Sequence, residues 1–310
     1  MLTSFTNFAR YLLKSLGLIG QIIVPLETQS TQSPLESRSE TTEYSASSKP
    51  DNGTAKERAP LAINNGKIAF LFLTIAEINH EQPWIDFLNG YGDYFSIYIH
   101  SKNNFNPQST FKRYEIPAKI PTRWDLTMGA QIELLREALN DPQNQKFIFL
   151  SESTIPLQSF STVYAEVMSH GKSIISYKPN TNRGRNRQWE KIREDRVYKN
   201  SQWIVLNRKH ATMMVEDNKY IKYMSKSYDN EHYPSTFLNI KGLLDREVIN
   251  SNTTFTIWPP KHSAHPITFT NMNIRTHFRE LIEAIKNKML FCRKFPKECD
   301  LAPLKPYIQY

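Results

Sequence analysis

Lys67-Ile68-Ala69-Phe70-Leu71-Phe72-Leu73-Thr74 is the stretch that decides the fold. Six consecutive apolar side chains leave a strand no polar face, so it must be buried on both sides. The segments downstream repeat the theme. Phe95–His100 and Phe147–Leu150 read as two more strands, and Ile174–Tyr177 as a fourth. Between them, Pro83–Asn89, Leu126–Leu139 and Phe160–Met168 read as helices. Leu126, Ala130, Leu134, Leu135 and Ala138 fall at helical spacing in the second of these. Such β-α-β alternation predicts an α/β fold with a mostly parallel central sheet and helices on both faces. Ligands in such sheets bind beyond the carboxyl ends of the strands. The polar segments His100–Asn104, Ser151–Thr154 and Lys178–Arg187 are the expected wall of a site.

Upstream of Lys67 the composition changes. Residues 27–65 are rich in Ser, Thr, Glu and Pro and hold few large apolar side chains. That stretch buries too little surface to offset its chain entropy, and reads as a flexible linker or stem. Tyr11–Leu26 is apolar but short for a bilayer crossing and contains Lys14 and Gln21. A signal anchor, an amphipathic surface helix and a non-functional leader all fit residues 1–26. The catalytic candidate is therefore the domain 66–310.

The net charge of +9 belongs to that domain, because residues 1–65 carry equal numbers of acidic and basic side chains. A basic domain suits an anionic partner. Glycine is sparse, and neither a P-loop string nor G-x-G-x-x-G occurs. Eight basic residues lie between Lys178 and Lys199, but Trp189 and Tyr198 alone interleave as aromatics, a poor stacking platform for nucleic acid. Cys292 and Cys299 are too few for a disulfide framework and are expected as buried free thiols. His100, His232 and His265 lack metal-ligand spacing, which points to hydrogen-bonding roles. Asn52-Gly53-Thr54 and Asn252-Thr253-Thr254 are glycosylation acceptors only in a secretory chain. Trp124 and Trp203 read as packing residues.

Several strings recur in a set order. They are Lys67–Thr74, Phe95–Ser101, Ile148–Leu157 and Ser201-Gln202-Trp203. Then come Asp229-Asn230-Glu231-His232-Tyr233-Pro234-Ser235-Thr236, His265-Pro266 and Leu290–Phe295. Together they resemble the core-2/I-branching β-1,6-N-acetylglucosaminyltransferase family, including its plant-type members, from about Lys67 to Leu304. The resemblance implies a GT-A-like fold and inverting, metal-independent sugar transfer. The UDP-sugar donor would be of the N-acetylglucosamine or xylose class, and the acceptor a hydroxyl of a glycan or glycoprotein. It puts the base at Glu231, where a carboxylate would take the acceptor proton. The family's preceding Asp is Asn230 here. On its own, Glu231 would equally suit a helix start.

Metal-dependent transferases commonly use an Asp-x-Asp motif, and no such string occurs. Fixed cations are the alternative for the departing diphosphate. By the resemblance these are Lys294 and an arginine best matched by Arg275, 19 residues earlier, with Arg279 and Arg293 ranked below it. Trp258 and Arg185 are matched to the acceptor side, and Glu152 is a further sugar-binding candidate. No cofactor, metal or nucleic acid is expected. A eukaryotic chain of this kind would be a single-pass type II Golgi protein; a bacterial one would be cytoplasmic or membrane-associated. The competing reading is a catalytically degenerate nucleotide-sugar or anionic-ligand binder.

Overall fold

The computed structural model describes residues 66–310 apart from 182–188, 190, 227, 261, 262, 264 and 309. The described residues belong to one compact unit, Lys56–Tyr310. The anchor and linker expected over residues 1–65 lie outside them, as does Arg185. No helix among the described residues is long and apolar enough to cross a membrane.

The strands are β1 (Lys67–Thr74), β2 (Phe95–Ser101), β3 (Asn144–Ser151), β4 (Ile155–Pro156), β5 (Ser173–Ile174), β6 (Tyr177–Pro179), β7 (Tyr198–Asn200), β8 (Val205–Asn207), β9 (Val248–Ile249), β10 (Thr254–Phe255) and β11 (Phe291–Cys292). Six form a sheet in the order β2-β1-β3-β8-β5-β9. β1 runs parallel to both β2 and β3, and β5 runs parallel to β9. β8 is reversed, pairing antiparallel with β3 and with β5. β10-β11-β4 and β6-β7 make two smaller sheets.

β1 is central because it is apolar throughout. Ala69, Leu71 and Leu73 face one cluster with Leu134 and Leu135 of the Met128–Leu139 helix and Phe237 of the Tyr233–Ile240 helix. Ile68, Phe70 and Phe72 face the other, with Trp84 and Phe87 of the Glu81–Leu88 helix and Phe160 of the Phe160–Met168 helix. Alternate side chains thus point to opposite faces, and helices cover both. This is the α/β class with a mostly parallel central sheet and helices on both faces expected from the sequence.

Boundaries differ where local closure wins. The helix expected from Leu126 begins at Met128, because Arg123 and Leu126 exchange both backbone hydrogen bonds, at 3.2 and 2.9 Å. The strand expected over Ile174–Tyr177 divides into the end of β5 and the start of β6. β10 is limited to Thr254–Phe255, since β11 offers only Phe291 and Cys292 as partners. Cys292 and Cys299 are buried and free.

Trp84 is the keystone of the second cluster. It is fully buried, donates its indole N–H to the Thr154 carbonyl at 3.0 Å, and meets Phe72 edge-on at 4.9 Å. Trp84→Ala should cost about 3–5 kcal/mol, from lost burial plus the cavity left behind. Chemical denaturation, followed by fluorescence of the remaining tryptophans, would measure it.

Candidate active site

A cavity of about 680 Å³ opens beyond the carboxyl ends of β1, β2 and β3. That is within the range of small-molecule sites. Its wall takes Thr74 from β1, His100 from β2 and Ser151-Glu152 from β3 and its following turn, where such a sheet is expected to bind a ligand. His100 is buried, and its Nε2 accepts the Ile120 N–H at 3.0 Å. Burial holds its pKa below the ordinary value, with Lys119 adding to the effect.

Glu231 lies on the cavity wall at the end of a single 3-10 turn, Asp229–Glu231. Its Oε2 is 3.1 Å from Lys199 Nζ on β7. Three contacts hold the turn. Tyr228, at φ 64°, is in the left-handed region and bonds through its N–H to the Asp125 carbonyl. Asn200 donates its side-chain N–H to the Asn230 carbonyl at 3.0 Å and accepts from Ser235 Oγ at 2.7 Å. Asp229 is buried and accepts backbone N–H groups from Thr127 at 3.1 Å, Met128 at 3.3 Å and Asn230 at 2.7 Å. Burial nevertheless raises its pKa to about 6; Asp125 adds to the rise and the amide donors oppose it.

Arg293 and Lys294, directly after β11, line the same cavity. The small sheet positions them. β11 pairs with β10 and β4, and the Arg293 and Phe295 N–H groups donate to Phe255 O at 3.1 Å and Ser153 O at 2.9 Å. Arg293 donates Nε–H to Ser151 Oγ at 3.2 Å, and its guanidinium carbon lies 4.6 Å from the Trp203 ring centre. Burial lowers its pKa to about 10, still fully charged at neutral pH, while Glu152 opposes the shift. Glu152 lines the same cavity. Burial raises its pKa and the two cations pull it back.

Trp124 and Trp258 also line the cavity, 58% and 57% exposed. Trp124 is braced edge-on by Tyr228 at 5.3 Å and by His265 at 5.5 Å. Exposed indoles held in fixed orientation offer flat apolar faces.

The structure therefore brings Glu231, Lys294, Trp258 and Glu152 together. It does not bring in Arg275, which is exposed on the Asn273–Thr276 helix and is not among the lining residues. The resemblance favours Arg275; strand pairing puts Arg293 in the cavity instead. Arg279 is exposed too, 3.4 Å from Glu283. The packing role expected of Trp124 gives way to a cavity-lining one, because the Arg123–Leu126 turn carries its ring outward. Trp203 is buried as expected, yet it also lines the cavity beneath Arg293. Lys199 was part of a basic run whose pairing the sequence does not reveal. Among the described residues no group of three His, Cys, Asp or Glu side chains is arranged to hold a metal ion.

A model of the family "Core-2/I-Branching enzyme" matches residues 68–286. A protein of Oryza sativa subsp. japonica named "Glycosyltransferase BC10" is 28% identical over 258 residues. The match covers 69% of this chain and 64% of the rice protein, so the chain spans a little under two thirds of that relative's length. Among solved structures, an active-site mutant of LgtC aligns with a TM-score of 0.40 and 8% identity, over 77% of this chain and 93% of that one. The galactosyltransferase LgtC with donor and acceptor sugar analogs aligns with a TM-score of 0.33 and 10% identity, over 73% and 86%.

Proposed function

The chain belongs to the core-2/I-branching enzyme family, and on that premise we propose that it is an inverting glycosyltransferase working without a metal ion. It moves a sugar of the N-acetylglucosamine or xylose class from a UDP-sugar to a glycan or glycoprotein hydroxyl. The observation that carries this reading is one cavity lined both by the Glu231 carboxylate and by the cations Arg293 and Lys294, with Arg293 held in place by Ser151 and Trp203.

Glu231 takes the proton from the acceptor hydroxyl as its oxygen attacks the anomeric carbon. The bond to the UDP phosphate oxygen breaks on the opposite side of that carbon, which inverts its configuration. Negative charge then grows on the diphosphate. Arg293 and Lys294 offset it, and Arg293 is already fixed by Ser151 and Trp203, so little reorganisation is needed. Trp258 and Trp124 provide faces for sugar rings. Arg185 keeps its proposed place on the acceptor side, outside the described residues. The decisive experiment is UDP release from a panel of UDP-sugars in the presence and absence of EDTA. Transfer that persists in EDTA supports the reading; transfer lost in EDTA and restored by manganese removes its metal-independent part.

Trp258→Ala should raise the acceptor KM about tenfold, equivalent to about 1.4 kcal/mol of lost stacking, with little change in donor KM. Initial rates with each substrate varied separately would check this.

A further inference from the structure

We infer that Asp229 is a positioning residue for transfer, tying the Glu231 turn to the amino end of the Met128–Leu139 helix. This rests on Glu231 being the base.

The sequence points to Asn230 as the neighbour that matters, because it stands where the family has its Asp. The structure shifts attention one residue back. The Asn230 backbone is used as a bracket, through its carbonyl to Asn200 and its N–H to Asp229. Asp229 supplies the buried carboxylate. The Met128–Leu139 helix has no side-chain cap of its own: Thr127 makes no capping hydrogen bond, and its Oγ1 has no partner. Its first N–H groups are met by a residue about a hundred positions away. A carboxylate suits that end of a helix electrostatically as well as geometrically.

The helix is itself fixed, since Met128, Ala130, Leu134 and Leu135 are packed under β1. Asp229, two residues before Glu231, therefore ties the turn that carries Glu231 to the helix and through it to the sheet. It also links residues of one cavity, which Trp124 and Thr127 line together with Glu231. The charged groups facing it from the preceding loop are Asp125 and Arg123, themselves paired at 2.7 Å. On its own segment, His232 Nδ1 is held by the Tyr228 carbonyl at 2.9 Å.

The bond pattern is arranged for the ionised form, because a protonated carboxyl turns one acceptor oxygen into a donor facing amide donors. Burial holds the Asp229 pKa up at about 6 and makes its charge costly, and the amide donors of the turn and helix offset part of that cost.

The test is kcat and acceptor KM at about pH 8 for the full chain and for Asp229→Asn, Asp229→Glu and Glu231→Gln, with UDP binding measured by thermal shift. In Asp229→Asn we expect kcat reduced about 10–100-fold, in the range of a misplaced catalytic group, with UDP binding unchanged. Asp229→Glu keeps a carboxylate for the helix N–H groups and should recover part of that rate, and its kcat loss at unchanged UDP binding carries the test if Asp229→Asn fails to fold. Native kcat in both variants would overturn the inference. So would parallel loss of transfer and UDP binding in either. An active Glu231→Gln would instead overturn the base assignment, a separate failure.

Discussion

Glu231→Gln should lower kcat by about 10²–10⁴-fold, the usual worth of a general base, while the chain still folds and binds UDP. Glutamine keeps the shape and the hydrogen-bonding reach of the side chain but cannot take a proton near neutrality. The fold should tolerate it, because the partner lost is Lys199, whose side chain is 41% exposed and can be re-solvated by water. Single-turnover sugar transfer, beside thermal shift with UDP, separates chemistry from binding. Full-rate transfer by the variant would remove Glu231 from the reaction. A native chain that binds UDP-sugars yet transfers none would favour the degenerate-binder reading.

The second large effect is expected at the cation pair. Arg293→Ala and Lys294→Ala should each reduce kcat/KM by about 10²–10³-fold, as loss of a preorganised charge at a leaving group does. Arg293→Ala also takes one hydrogen-bond donor from Ser151 Oγ and the cation from the Trp203 face, and leaves half-buried Glu152 with one cation fewer. Arg293→Lys is the sharper probe. It keeps the charge and loses the planar group that stacks on Trp203, so an intermediate loss is expected. Arg275→Ala should stay within about twofold of the native rate, as surface substitutions usually do. The opposite ranking would return the diphosphate role to Arg275.

Much of this was legible in the residues, and the illegible part has definite causes. β1 could be read because six apolar side chains in sequence admit few alternatives, and His100, Lys102, Asn103, Ser151, Glu152 and Lys178 of the three segments expected as the wall do line the cavity. The reversal of β8 was not legible. A three-residue strand looks the same in either direction, and its sense is set by where Phe147 and Ile174 already lie. Glu231 was found by its neighbours in sequence. The resemblance favours Arg275 over Arg293, and the pairing of β11 with β4 is what puts Arg293 in the cavity. Trp124 reads from the sequence as a core or helix-start packing residue, whereas the turn closed by Arg123 and Leu126 decides which way its ring points.

The small sheet that holds Arg293 also sets an order of events. The hydrogen bond from Arg293 to Ser151 joins residues 142 positions apart. The main sheet can assemble β1, β2 and β3 from residues 67–151 alone, but its cavity is without Arg293 and Lys294 until residues 291–295 have been synthesised and have slotted between β4 and β10. Contacts of such separation form late and slowly. A growing chain thus acquires Glu231 some sixty residues before Arg293 and Lys294, and the proposed binding of a nucleotide sugar must wait for that long-range closure.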